Sequence, residues 1–380
     1  MDHDTILNFL VEQADNTREE LQDVVFGFED LWERKLWHQL TDALVMFFNH
    51  PGSASQRLPF YESFILSFSD KINQLRLVSL ALIAAEQCKD GQERLTFLTT
   101  VANKVNKPNS QDAYVYASVG VARVNMELTD LEGARRELWK SEKALDGFDS
   151  VETIVHAAFY RTNAEYYQLK FDFAAYYRNA LLFLACINIE DLTPAERERR
   201  AYDLSLAALV SDTIYNFGEL LLHPILNSLN DNEKWLRDLL FAFNRGDLAA
   251  YDVLAGHISS HPLLEQHKEA LRQKIYLAAL TEAVFRRPPH DRAMTFATIS
   301  EETKVQPDEI EHLVMKALSL GLLRGSIDQV DEIARINWVQ PKVLDMKQID
   351  DMRGRLQDWD STVNSLGNWI ELKGQDVWAA

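Results

Sequence analysis

The chain has 380 residues, 47% of them apolar, so it can bury a sizeable core and is no disordered polymer. Its 39 basic residues face 58 acidic ones, a net charge of −19, and such a surface repels phosphate backbones and anionic lipid. Cys88 and Cys186 are the only cysteines, which excludes a disulfide framework or cysteine-rich zinc module and suits a reducing compartment.

The acidic start, Met1-Asp2-His3-Asp4, lacks the basic and apolar regions of a signal peptide. The longest apolar runs, Leu80 to Ala85 and Ala180 to Ile187, fall far short of the roughly 18 residues of a membrane span. No Asn-x-Ser/Thr acceptor occurs. The expected location is cytoplasmic and nuclear, with no membrane partner.

Proline punctuates the chain at His50-Pro51, Lys107-Pro108, Thr193-Pro194, His223-Pro224, His261-Pro262, Pro288-Pro289 and Gln306-Pro307. The stretch from Pro108 to Pro194 has no proline inside it and is rich in Ala, Leu, Glu and Arg, which predicts consecutive helices. A weak repeat refines this. Leu128-Thr129-Asp130-Leu131-Glu132-Gly133-Ala134 closes one helix and opens another, with Leu131, Ala134, Leu138 and Leu145 on one stripe. Leu169-Lys170-Phe171-Asp172-Phe173-Ala174 has the same shape, and Asn244-Arg245-Gly246-Asp247-Leu248-Ala249-Ala250 echoes it. Helix-turn-helix units at such spacing mark tetratricopeptide-like solenoids. A generic set of helical hairpins is the alternative. The expected fold is mainly α, with N-terminal repeats over 1–170 and further hairpins from 171 to about 288.

After Pro289 the pattern changes. Phe296 to Ser300 starts a helix, and Val305-Gln306-Pro307-Asp308-Glu309 opens another. Ile310, Leu313, Val314, Ala317 and Leu318 then form a core-facing stripe that Gly321 stops. Leu322 to Asp328 and the alternating Ile333 to Val339 read as two strands. Together they predict a winged helix over about 289–345. The second strand is expected to be an unpaired assembly edge, with Ile333, Arg335 and Asn337 at a protein interface.

The last segment, 346–380, is expected to be an amphipathic bundling helix. Ile349, Met352, Leu356, Trp359, Val363, Leu366 and Ile370 follow alternating steps of 3 and 4, a heptad seam. It docks either on partner helices or back on its own winged helix.

Solenoid, winged helix and final helix, in that order, resemble the PCI-domain subunits of the proteasome lid, the signalosome and the translation-initiation scaffold. The match runs through Thr298-Ile299-Ser300, Glu309-Ile310-Glu311, Leu313 to Ala317 and Gly321 to Asp328. Ile336-Asn337-Trp338-Val339-Gln340-Pro341-Lys342-Val343-Leu344 and Phe28 to Leu40 resemble one proteasome lid member in particular. The resemblance implies a non-catalytic scaffold within a hetero-oligomer, supporting ubiquitin-dependent degradation. Its implied partners are other PCI subunits of the lid and the lid deubiquitinase module. Signalosome and translation-initiation scaffolds are the alternatives within the family.

The chemistry of the chain supports the same expectation. P-loop, dinucleotide-turn and nucleophile-elbow patterns are all absent. His257 and His261 have metal-like spacing, with Glu265 and His267 following, but Ile258 stands where a zincin needs Glu. A helix terminus is the better account of these histidines. Cys88 and Cys186 read as small core residues. The aromatic group Phe159, Tyr160, Tyr166, Tyr167, Phe171, Phe173, Tyr176 and Tyr177 reads as inter-helix packing. No catalytic, cofactor-binding or metal residue is expected. A winged-helix nucleic-acid factor is the remaining alternative. Against it, the recognition-type helix shows Asp308, Glu311, His312, Met315 and Ser319 outward, and Ala293 to Asp345 holds nine acids and five bases. No nucleic-acid partner is expected.

Overall fold

A computed structural model describes residues 3–15, 19–148, 151–288, 291–341 and 346–378. The chain divides after Asp191 into two compact units. The expected boundary near residue 170 falls in a hairpin turn whose two helices pack along each other.

The first unit contains α1 (His3–Asp15), α2 (Glu19–Glu33), α3 (Trp37–Asn49), α4 (Gln74–Ala85) and α5 (Gly91–Val105). They are followed by α6 (Gln111–Glu127), α7 (Leu131–Leu145), α8 (Thr153–Leu169) and α9 (Phe173–Cys186). Pro51 opens an irregular stretch of 3-10 and π turns through Lys71. The π turn, where the Ile65 N–H reaches back to the Phe60 carbonyl, lets Phe60, Tyr61, Phe64 and Ile65 all be buried. Phe28, Phe47 and Phe60 meet there, with ring centroids 5.6 Å (Phe28–Phe47) and 5.1 Å (Phe47–Phe60) apart.

The repeat seen in sequence is a repeated turn. Thr129, Phe171 and Gly246 each take positive φ. The aspartate that follows each turns its N–H back five residues: Asp130 to Asn125, Asp172 to Tyr167, Asp247 to Ala242. The same aspartates cap the next helix. Asp130 accepts from the Gly133 N–H at 2.9 Å, Asp172 from Ala175 at 3.1 Å, and Asp247 from Ala250 at 3.1 Å.

The second unit contains α10 (Pro194–Val210), α11 (Lys234–Arg245), α12 (Leu248–Ser260) and α13 (Lys268–Arg286), with short helical turns between them. Lys274 of α13 is buried, and its ammonium donates to the carbonyls of Ala208, Leu209 and Ser211 at the end of α10. Next come β1 (Ala293–Thr295), α14 (Phe296–Thr303), α15 (Pro307–Ser319), β2 (Leu323–Asp328), β3 (Ile333–Val339) and α16 (Met346–Trp378). The three strands are antiparallel in the order β1-β3-β2. Ile310, Val314 and Ala317 of α15 are buried as the stripe requires, with Leu313 and Leu318 packed beside them. Leu277, Leu280, Ala283 and Val284 of α13 complete that core, so the winged helix recruits the end of the last hairpin helix.

Candidate protein-interaction surfaces

The sheet presents its edges differently from the sequence reading. Ile333 and Arg335 lie on β3, between both other strands: Ile333 pairs with Thr295 and Asp328, Arg335 with Ala293 and Ser326. The expected free edge at these residues is therefore corrected. β1 is three residues long, too short to show an alternating pattern, yet it covers one side of β3. The free edges are β1 and the longer β2. Asn337 lies beyond the stretch that β1 covers, and its side is exposed.

The final helix is unusual in what it leaves uncovered. Ile349, Met352, Leu356, Trp359, Val363, Leu366 and Ile370 are all exposed, Trp359 by 66%. Trp369, three residues after Leu366, widens the stripe. Among the described residues, none of the seam is covered by the winged helix. Gly354 and Gly367 stand inside it with open space around them, each costing about 1 kcal/mol against alanine. Propensity alone does not hold 33 such residues together, and an apolar stripe of this kind stabilises a helix when it is covered.

Residues with chemical promise in the sequence are otherwise engaged. His257 stacks on Trp235, centroids 5.4 Å apart, whereas the His261 Nε2 meets the Tyr202 hydroxyl at 2.6 Å. The two imidazoles thus serve different neighbours. Among the described residues, no three His, Cys, Asp or Glu side chains are placed to share a metal. Cys88 and Cys186 are free, and burial pushes both thiols up, away from the reactive thiolate. Phe159, Tyr166, Tyr176 and Tyr177 are buried between helices, while Phe171 is a solvent-facing exception. On α15, Asp308, His312, Met315 and Ser319 are exposed and Glu311 half-buried, so its outward face is acidic. No described helix is long and apolar enough to cross a membrane.

Comparison with known proteins decides the family. The profile of the PSD13 N-terminal repeats matches residues 24–240, more than half of the chain. The PCI domain profile matches 248–338, and that of the Rpn9 C-terminal helix matches 342–374. The chain belongs to the family of the 26S proteasome regulatory subunit Rpn9. The probable Rpn9 of Schizosaccharomyces pombe is 43% identical over 371 residues, 97% of each chain. The Rpn9 of Saccharomyces cerevisiae is 40% identical over 390 residues, 99% of this chain and 98% of that one. The similarity to translation initiation factor 3 subunit M of Emericella nidulans is weaker, 26% over 195 residues and 47% of this chain. The C-terminal profile coincides with α16, so the Rpn9 family reserves a sequence pattern of its own for the helix with the exposed seam.

Proposed function

We propose that the chain is a non-catalytic scaffold subunit of the proteasome regulatory-particle lid, supporting 26S assembly and ubiquitin-dependent degradation in cytoplasm and nucleus. The single observation that carries this reading is the uncovered seam of α16. Taking seven large apolar residues from about half exposure to full burial is worth on the order of 5 to 10 kcal/mol before ordering costs. That is enough to hold a subunit in a multi-helix bundle. The β2 edge offers a second attachment, by strand addition from a neighbouring winged helix. Other PCI subunits and the deubiquitinase module are the proposed neighbours, in a hetero-oligomer. Ile349, Met352, Leu356, Trp359, Val363, Leu366 and Ile370 are the proposed bundle residues.

The test is co-purification of the tagged chain, whole or ending at Pro341. The whole chain is expected to bring down proteasomal ATPases and core peptidase activity, and the shortened chain to bring down neither. Equal recovery would remove α16 from the account. Recovery of translation-initiation subunits instead would overturn the proteasomal reading.

A further inference from the structure

The chain contains Asp-Gly twice, at Asp90-Gly91 and Asp146-Gly147, and Asn-Gly nowhere. Asp-Gly is the aspartyl pair most open to attack by its own backbone. Glycine has no Cβ to shield its amide nitrogen, and it turns freely. Bonding that nitrogen to the aspartate Cγ closes a five-membered ring. Closure requires one motion, rotation of the intervening peptide about the aspartate Cα–C bond until its nitrogen faces Cγ. The fold resists that motion at one pair and permits it at the other.

Asp90-Gly91 is held. Asp90 directly precedes α5, and its carbonyl accepts the Arg94 N–H at 3.0 Å, the first bond of that helix. The Arg94 side chain is paired with Glu127 of α6 at 2.6 Å. One residue before Asp90, the Lys89 N–H donates to the Glu93 carboxylate at 3.2 Å. Gly91 is half-buried, and a Cβ on it would come within 2.7 Å of the Leu128 Cδ2. Turning this peptide undoes the first turn of α5 and pushes against the neighbouring hairpin.

Asp146-Gly147 stands where a helix runs out. Asp146 directly follows α7, and both residues of the pair are exposed. The Asp146 carbonyl accepts no backbone N–H among the described residues. The Gly147 N–H donates to the Ala144 carbonyl at 3.1 Å, a terminal bond beyond the last helical turn. A Cβ on Gly147 would meet that carbonyl oxygen at 3.4 Å, ordinary contact, so no neighbouring element packs on this glycine. Rotation here disturbs one bond at a solvent-facing end.

We infer that Asp146 is a site of spontaneous isoaspartate formation in the folded chain, and that Asp90 is protected from it. The Gly147 nitrogen gives up its proton and bonds to Cγ of the Asp146 carboxyl, whose hydroxyl leaves as water. Water then reopens the succinimide. Cleavage between nitrogen and Cγ restores aspartate. Cleavage between nitrogen and the former backbone carbonyl leaves the chain running through Cγ, and that carbonyl becomes a free carboxylate. Mass and charge are unchanged. The product lies on open surface beyond α7, within reach of a carboxyl methyltransferase that recognises isoaspartate and takes its methyl group from S-adenosylmethionine.

Peptide mapping of the aged full chain tests this. The protein is kept for several weeks at neutral pH and body temperature, folded in buffer or unfolded in guanidinium chloride. Isoaspartate is counted by methyl transfer and located by chromatographic separation of digest peptides of equal mass. In the folded chain, isoaspartate is expected at position 146 at least about tenfold faster than at position 90. In guanidinium chloride the two rates are expected to converge. Gly147→Ala fits the fold and is expected to melt with the parent while slowing the reaction at Asp146 at least about fivefold. Absence of isoaspartate at 146, an equal or faster reaction at 90 in the folded chain, or a ratio that persists in guanidinium chloride would each overturn the inference. An unslowed Gly147→Ala would do the same.

Discussion

The Lys274 ammonium donates to the Ser211 carbonyl at 2.7 Å, bridging 63 positions of sequence. It also reaches Ala208 at 2.7 Å and Leu209 at 3.1 Å. These are carbonyls that the end of α10 leaves without helical partners, so one buried side chain closes a helix terminus. Lys274→Met keeps the apolar stem and removes the donor. The loss is expected to be about 2 to 4 kcal/mol by chemical denaturation, from buried carbonyls left unsatisfied.

The same lysine gives a pH dependence. Burial pushes its ammonium down to about 7, with Asp212 pulling the other way. An unfolded lysine keeps its proton to about 10.4, so between these values the unfolded chain binds more protons. The contribution of this group to stability is fully present above the unfolded value and is lost as pH falls towards the folded one. Relative to Lys274→Met, the parent is therefore expected to gain stability as pH rises from about 7 to about 10. Denaturation midpoints of the two proteins across that range check the slope.

Two turns of one backbone form are expected to answer glycine chemistry with opposite signs. Gly246→Ala places a Cβ against the Ala279 backbone at positive φ and is expected to cost at least about 2 kcal/mol. Thr129→Gly relieves an exposed residue at φ 64° and is expected to gain up to about 1 kcal/mol. Thermal melts of both variants decide the matter.

Arg335→Pro is expected to damage the free chain itself. Arg335 pairs on both sides, with Ala293 and Ser326. Proline removes a ladder donor and is excluded from central strands, at a cost of about 3 kcal/mol. A variant with an unchanged unfolding midpoint would contradict the strand order.

Changing Trp359 and Leu366 together to Asp touches only exposed positions of α16. The free chain is expected to keep its stability within about 0.5 kcal/mol. The same variant is expected to be absent from purified regulatory particles. A loss of several kcal/mol in the free chain would mean that its own residues cover the seam.

Duplex DNA is expected not to bind. The exposed Asp308 and Glu309, with Glu311 beside them, face where a groove-reading helix meets phosphate. An electrophoretic shift at low salt, where electrostatic binding is strongest, is the demanding condition. Micromolar binding there would give the winged helix a second use.

Much of this architecture was legible in the residues. The Asp at 130, 172 and 247 both ends a turn and caps a helix, so one residue type marked each hairpin. The stripe from Ile310 to Leu318 placed α15, and Gly321, at φ 70°, stopped it. Other features left no local trace. β1 is three residues long, and only its pairing makes it a strand. Its presence covers the edge expected at β3 and leaves β1 and β2 at the sides of the sheet. Lys274 reads as a surface residue, because the carbonyls that accept its protons lie far off in sequence. The packing of Leu277 and Val284 into the winged-helix core depends on tertiary placement of α13, which helical periodicity does not contain. Phe171 resembled its buried aromatic neighbours in every respect except its place at the centre of a turn.

The uncovered seam has a colloidal consequence. Six acids and four bases between Met346 and Trp378 give α16 a small negative charge, a share of the −19 of the whole chain. Two free copies that align their seams bring like charges together, which opposes self-pairing at low ionic strength. Added salt screens that repulsion and leaves the apolar attraction intact. Charge thus works against self-pairing of the unassembled chain, and a partner helix bearing the opposite sign would meet the same seam without that repulsion.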